Sequence, residues 1–219
     1  MQDTAVLSGM VLSEMPVGEA DRRVVLITRE LGRIACFARG ARRPKSMLVS
    51  ATRSFAFGHF TVRSGKDAYV LVHAEILDYF EEIVTDISCS AYACYFAELA
   101  AYFTRDGQPE NETVQLLYSA LTALRGGKMK KNLIRRAFEL KLLSVNGLVP
   151  DYTEDQFPAL QKSTRYALNF ARTSAPNLLF RFDLTPEVEE EYAREADRLL
   201  ARDLDRPMSS LELLSVLDI

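Results

Sequence analysis

Four cations stand within the segment Ala38-Arg39-Gly40-Ala41-Arg42-Arg43-Pro44-Lys45-Ser46. Gly40 loosens the backbone and Pro44 lacks a ladder donor, so the segment is expected to be an exposed loop rather than a packed strand. Guanidinium groups in such a loop suit the bidentate holding of phosphate oxygens. The surroundings have the same sign. Residues 22–66 carry eleven Arg and Lys against one acid, Glu30, a local charge of +10. The whole chain carries −3, so the remaining residues sum to −13. One concentrated basic segment on an otherwise acidic chain predicts a polyanion as its partner.

Catalytic chemistry has less to draw on. The two histidines, His59 and His73, lie in strand-like runs with no nucleophile signature beside them. No Walker A loop, dinucleotide fingerprint or His-Glu-x-x-His pair occurs in the sequence. Paired acids such as Glu81-Glu82 are too common to signify a general acid and base. Cys36, Cys89 and Cys94 form no Cys-x-x-Cys pair, and an odd count does not suit a disulfide framework. They are expected to be packed free thiols. The expectation is therefore a binding protein without catalytic residues, metal or cofactor.

The elements that must position the loop can be read from periodicity. The chain has 219 residues and is 48% hydrophobic, which suits one large ordered domain or two small ones. No run approaches the roughly 18 apolar residues of a membrane span, and no signal peptide is evident, so a cytoplasmic location is expected. Up to about residue 76 the pattern alternates. Candidate strands are Ala5–Ser13, Arg22–Thr28, Arg33–Arg39, Phe55–Arg63 and Ala68–Glu75. Turn residues separate them at Pro16-Val17-Gly18-Glu19, Glu30-Leu31-Gly32 and Ser64-Gly65-Lys66-Asp67. Five short strands fit a small closed barrel, with the OB-fold as the leading candidate; an SH3-like barrel fits the same pattern.

From Ile83 onward the period becomes helical. Tyr92, Tyr95, Phe96, Leu99 and Phe103 share a spacing, as do Val114, Leu117, Tyr118, Leu121 and Leu124. Gly126-Gly127 should end the second of these helices. The run from Lys130 to Val145 is apolar on most faces and predicts a central helix, stopped by Asn146-Gly147. Later helices are expected over Gln161–Thr173, Pro186–Asp203 and Ser210–Leu217. Thr185 before Pro186 suggests a capped start, and Ser209 and Glu212 have capping-box spacing. Residues 187–206 hold eight acids and four arginines, the composition of a solvated, salt-bridged face. The outline is α+β: an N-terminal five-stranded barrel over residues 1–80, then an all-α domain over residues 81–219.

Alternation places Arg33, Ala35, Phe37 and Arg39 on one face of the third strand and Ile34, Cys36 and Ala38 on the other. A ring between arginines can stack bases while the guanidinium groups hold the backbone. The same pattern also fits Phe37 in the core with the arginines at the barrel rim. The basic loop next to it favours binding. Phe55, Phe57 and Phe60 read as core rings, and a bulge at Gly58 would turn Phe60 to the same side as the other two.

Together these segments resemble the bacterial RecO family of DNA repair proteins, which act as recombination mediators. The matching pieces span nearly the whole chain. They include Gly9-Met10-Val11-Leu12, Gly18-Glu19-Ala20-Asp21, Thr28-Arg29-Glu30-Leu31-Gly32-Arg33 and the loop Ala38–Ser46. In the helical half they continue with Ala97-Glu98-Leu99, Phe138-Glu139-Leu140-Lys141-Leu142-Leu143, Gly147-Leu148-Val149-Pro150-Asp151 and Ser210-Leu211-Glu212.

The resemblance implies an OB-fold that binds single- and double-stranded DNA, followed by a helical domain. It also implies ATP-independent annealing of complementary strands, and help for a recombinase in displacing single-stranded DNA-binding protein (SSB) from gaps, together with the partner RecR. Carried onto this chain, DNA contacts fall on Arg39, Arg42, Arg43 and Lys45, with Arg33 and Phe37 nearby. The acidic C-terminal tail of SSB is expected on the helical domain, at Lys130, Lys131, Arg135 and Arg136. Many family members carry a four-cysteine zinc motif soon after the Gly-x-x-Pro-Asp segment. Here Asp151 is followed by Tyr-Thr-Glu-Asp-Gln-Phe-Pro and no later cysteine, so zinc is not expected. A rival reading keeps the barrel but gives it structured RNA, since a phosphate cradle does not distinguish the two polymers. A nuclease would need metal-dependent turnover.

Overall fold

The computed structural model describes residues 4–65 and 68–216. Lys66 and Asp67, half of one expected turn, and Leu217, the expected end of the last helix, lie outside the described residues. The chain divides into two compact units. One comprises Met1–Thr85 with Ala97–Val114, the other Asp86–Phe96 with Gln115–Ile219.

The first unit is built on β1 (Thr4–Val17), β2 (Asp21–Thr28), β3 (Gly32–Ala38), the single-turn helix α1 (Leu48–Ala51), β4 (Phe57–Arg63) and β5 (Tyr69–Asp78). The strands close in the order β1-β2-β3-β5-β4. All neighbours are antiparallel except β3 and β5, which run parallel at Cys36↔Tyr69 and Phe37↔Val70. That parallel pair and order decide the choice left open by the pattern: this is the five-stranded OB-type barrel. Closure is possible because β1 is long enough to pair twice, with β4 along its first half and with β2 along its second. Leu12 is the extra residue where the β1–β2 register shifts, between Val11↔Leu26 and Ser13↔Val25. Inward-facing Leu7, Val24, Leu26, Ile34, Cys36, Phe60, Val62 and Leu71 fill the interior. Burial of each large apolar side chain stabilises by about 1.5–3 kcal/mol.

Three expectations in this half need correction. β1 continues to Val17, because Met15, Pro16 and Val17 pair with Arg23, Arg22 and Asp21; the turn is only Gly18–Ala20. β4 starts at Phe57, since Phe55 is buried at φ 71° and cannot continue a strand. Phe57 and Phe60 face opposite sides. The irregularity beside Gly58 does exist, but its extra residue is Leu77 on β5, between Gly58↔Ile76 and Phe57↔Asp78. The phase of β4 is therefore unbroken; Phe60 is buried and Phe57 half-buried on the outer face.

After α2 (Glu81–Thr85) come α3 (Ile87–Phe103), α4 (Asn111–Gly126), α5 (Lys131–Val145), α6 (Lys162–Thr173), α7 (Pro176–Leu179), α8 (Pro186–Asp203) and α9 (Ser209–Val216). The segment after α3 belongs to the barrel's own unit. Its backbone runs along the β2–β3 turn: Gly107 N–H donates to the Leu31 carbonyl at 2.9 Å and Glu110 N–H to the Arg29 carbonyl at 3.1 Å. Gly32 at the turn, with φ 64°, lies so close that an added Cβ would sit 2.3 Å from the Gln108 carbonyl oxygen.

In the second unit α5 is buried on nearly every side and packs against α6 and α8. Phe138 stacks on Phe96 at 4.3 Å between centroids. Pro186 opens α8 as expected, but the Thr185 hydroxyl makes no capping bond. Of the three thiols, Cys36 and Cys89 are buried while Cys94 is exposed, which corrects the expectation that all three are packed.

Candidate nucleic-acid interface

The basic loop leaves β3 as a run of turns rather than as slack chain. Ala41 donates its N–H to Ala38, Arg43 to Gly40 and Ser46 to Arg43, each through backbone bonds of 3.0–3.4 Å. Gly40 takes φ 67°, a left-handed conformation costly for a residue with a Cβ. The one inward residue, Ala41, is fully buried in the barrel core and seats the loop. From the other side the β1–β2 turn holds it. The Asp21 carboxylate accepts the Gly40 N–H at 2.7 Å, and the Ala20 carbonyl accepts the Arg42 N–H at 2.9 Å. At its far end the Ser46 hydroxyl accepts the Leu48 N–H at the start of α1.

On this frame Arg39, Arg42, Arg43 and Lys45 are all exposed. Their roles differ. Arg42 donates to the Gly18 carbonyl at 3.0 Å and so ties the two turns together. Among the described residues no carboxylate pairs with Arg39, Arg43 or Lys45. Three like charges on a fixed backbone, with no counter-ion among the described residues, have the chemistry to receive an anion with little ordering.

Phe37 is 38% exposed, with Cys36 and Ala38 buried on either side of it, so the ring faces solvent and is not a core residue. Arg33 is placed differently from the other arginines. Its guanidinium donates to the Ala101 carbonyl and to the Asp106 carboxylate, locking the 97–114 segment onto β3. Phe37, Arg39, Arg43 and Lys45 are thus all exposed on β3 and the loop that follows it, whereas Arg33 has a holding task. Sequence reasoning missed Asp21, which buttresses the loop, and Arg23, which is exposed and lies directly opposite Phe37 on β2. Counting back from the Thr28↔Gly32 hairpin register would have found Arg23. His59 is half-buried, with Nδ1 3.2 Å from the Ser8 hydroxyl, and His73 is exposed on β5. No group of three or more His, Cys, Asp or Glu among the described residues is arranged to hold a metal.

The four helical cations each meet an internal carboxylate. Lys130 Nζ lies 2.7 Å from Glu189, and Lys131 Nζ lies 3.5 Å from Asp86. Arg135 and Arg136 both bond Glu139, whose carboxylate is fully buried, and Arg136 adds a two-pronged pair with Asp197 at 2.5 and 3.0 Å. Burial, and then the Glu139 charge, pushes the Tyr95 hydroxyl far above its usual range, so it stays protonated and donates to Glu139 at 2.6 Å. The same unit also holds an apolar groove of about 940 Å³, lined by Tyr166, Phe170, Phe182, Leu184 and Val188, with Lys162 and Arg181 on its rim. Periodicity did not reveal that groove, because one part of its wall is the irregular segment 181–185.

The loop after Asp151 is held by polar contacts. Asn169 brackets Tyr152, accepting its N–H at 3.1 Å and donating to its carbonyl at 3.0 Å. The Tyr152 hydroxyl is buried and donates to Glu195 at 2.7 Å, while Asp151 pairs with Arg172 at 2.7 Å.

Comparison with known proteins agrees with this layout. Residues 1–80 match the family model "Recombination protein O N terminal", and residues 84–157 match "Recombination protein O C terminal". A DNA repair protein RecO from Acetivibrio thermocellus is 27% identical over 96% of each chain. One from Clostridium kluyveri is 27% identical over 94% of this chain and 91% of its own. The RecO of Anaeromyxobacter dehalogenans is 39% identical over 68% of this chain and 59% of its own length. Two family models matched in order over residues 1–80 and 84–157, and similarity along nearly the full length, place this chain in the RecO family of DNA repair proteins.

Proposed function

We propose that the protein is a non-catalytic recombination mediator. Its barrel domain, residues 1–80, binds single- and double-stranded DNA through Arg39, Arg43 and Lys45, with Phe37 beside them and Arg42 holding the loop's shape. Charge neutralisation on two strands at once lets complementary sequences meet without ATP, and the same contacts help a recombinase onto SSB-coated gaps in concert with RecR. The observation that carries this reading is the cluster of exposed cations that no acid among the described residues neutralises, on a loop fixed by Asp21 and Ala41. Phosphate oxygens are the chemical complement of such a cluster.

The helical domain, residues 81–219, receives the acidic SSB tail. Of the expected cations, Lys130 and Lys131 are open enough to exchange Glu189 and Asp86 for a tail carboxylate, whereas Arg135 and Arg136 are held by Glu139. Lys130 meets Glu189, the residue after groove-lining Val188, so an apolar tail end in the groove would bring its acids toward Lys130, Lys162 and Arg181.

One experiment tests the whole reading. Purified protein is mixed with complementary oligonucleotides coated by SSB that has or lacks its acidic tail, without nucleotide. Annealing with intact SSB, and slower annealing when the tail is missing, is the expected result. No acceleration over the protein-free control would refute mediation.

A further inference from the structure

The loop explains attraction to any polyphosphate but not a choice between single strands and duplex. A second feature of the barrel addresses that choice. Cross-strand register sets five outward residues in a row across the sheet, at right angles to the strands. Met15 on β1 pairs with Arg23 on β2, Arg23 with Phe37 on β3, Phe37 with Val70 on β5, and Val70 with Arg63 on β4. Met15 is 54% exposed, Arg23 is exposed, and Val70 and Arg63 are half-buried. Neither Arg23 nor Arg63 has an acidic partner among the described residues. From the spacing of neighbouring strands, the two arginines stand roughly 14 Å apart with the Phe37 ring between them.

We propose that this row is a lane for one unpaired strand: Phe37 takes a base on its ring while Arg23 and Arg63 hold the phosphates on either side. Met15 and Val70 supply apolar ground beside the ring. The proposal rests on the loop being the DNA site and adds the element that discriminates between forms of DNA. In duplex both faces of a base are covered by its neighbours, so the ring has nothing to stack on. In a single strand each base can leave the stack and lie flat on it, whatever its identity. Loop cations contact phosphate equally in both forms. Arg33 would have been the flanking cation along β3, but its contacts with Ala101 and Asp106 leave the across-sheet direction as the open one.

The test uses the full chain and three probes of equal length: an oligo-dT strand, the same backbone with abasic residues, and a duplex. Phe37→Ala is expected to weaken oligo-dT binding about tenfold while changing abasic and duplex binding less than twofold, with Phe37→Tyr close to wild type. Arg23→Ala and Arg63→Ala should each weaken both single-stranded probes and make the salt dependence shallower by about 0.7 for each phosphate no longer held. If Phe37→Ala shifts all three probes alike, or none, the lane is wrong. The loop variant Arg39→Ala/Arg43→Ala/Lys45→Ala separates the two readings. Normal binding by that variant overturns the loop site and the lane with it. Loss of all binding in it, with Phe37→Ala unchanged, leaves the loop site standing and overturns the lane alone. Phe37→Leu, which keeps apolar bulk, and a melting curve for each variant exclude misfolding as the cause.

Discussion

The Asp21 carboxylate, itself negative, organises the most basic loop of the molecule by accepting the Gly40 N–H at 2.7 Å. Charge alone says that removing this acid should improve DNA binding, since it lies beside Arg39 and Arg43. The geometry says the opposite, because the bond fixes the turn that presents those cations. Asp21→Ala is expected to destabilise the protein by about 1 kcal/mol and to weaken DNA binding about threefold. Fluorescence anisotropy with a labelled oligonucleotide checks the sign; tighter binding would mean the loop needs no scaffold.

Gly32 and Gly40 have nearly the same positive φ, 64° and 67°, yet differ in what surrounds them. A Cβ on Gly40 would meet only the Arg43 side chain, at 3.5 Å. On Gly32 it would sit 2.3 and 2.4 Å from the backbone oxygens of Gln108 and Arg105. Gly40→Ala should cost about 1–2 kcal/mol of backbone strain. Gly32→Ala should cost clearly more, since the 105–110 segment must shift. Urea denaturation of the two variants, showing equal losses, would contradict the close approach.

Asp86 caps α3, accepting the Cys89 N–H at 2.6 Å. Chiefly that backbone bond, helped by the nearby Lys131 charge, holds its carboxyl below the ordinary value of 3.8. A folded-state value below the unfolded one means the stabilisation is complete above pH 3.8 and is lost as pH falls through the lower folded value. Asp86→Ala is thus expected to melt below wild type at pH 7, with the gap closing as the solution is taken below pH 3.8. Thermal melts across that range check it, and a gap independent of pH would rule out the charged cap.

The loop after Asp151, where the resemblance raised the question of a zinc motif, is clamped by Asn169, Glu195 and Arg172. Elemental analysis of desalted protein should find no stoichiometric zinc, and EDTA should leave the melting temperature unchanged. Tyr152→Phe should instead cost about 2 kcal/mol, by removing a buried bond to a charged acceptor. A chelator-sensitive melt would show that a metal, and not this clamp, holds the loop.

The barrel strands were legible because one face of each is buried, so alternation is written into residue choice, as in Ile34, Cys36 and Ala38 against Arg33, Ala35 and Phe37. The extent of α5 was legible because burial on nearly all sides left few polar positions. What could not be read was pairing across the fold. Arg33 and Arg39 look alike in sequence, and only the 97–114 segment, folded back on β3, separates a holding arginine from an open one. Likewise Glu189, which meets Lys130, and Asp197, which meets Arg136, lie 59 and 61 residues away. The bulge on β5 carries no sequence signal, because Leu77 resembles any other strand residue, while the glycine that suggests a bulge, Gly58, stands opposite it on β4.

The central claim is that the exposed cations of the β3–α1 loop bind DNA, and the salt dependence of affinity tests it most directly. Binding of a single-stranded oligonucleotide is measured from low to moderate salt for wild type and for Arg39→Ala/Arg43→Ala/Lys45→Ala. The variant should melt within a few degrees of wild type, since the removed groups are exposed. Its affinity at low salt should fall at least about tenfold, and its log–log salt slope should be shallower by about 2, or roughly 0.7 for each phosphate that the three cations would otherwise neutralise. An unchanged slope and affinity would place the DNA site elsewhere.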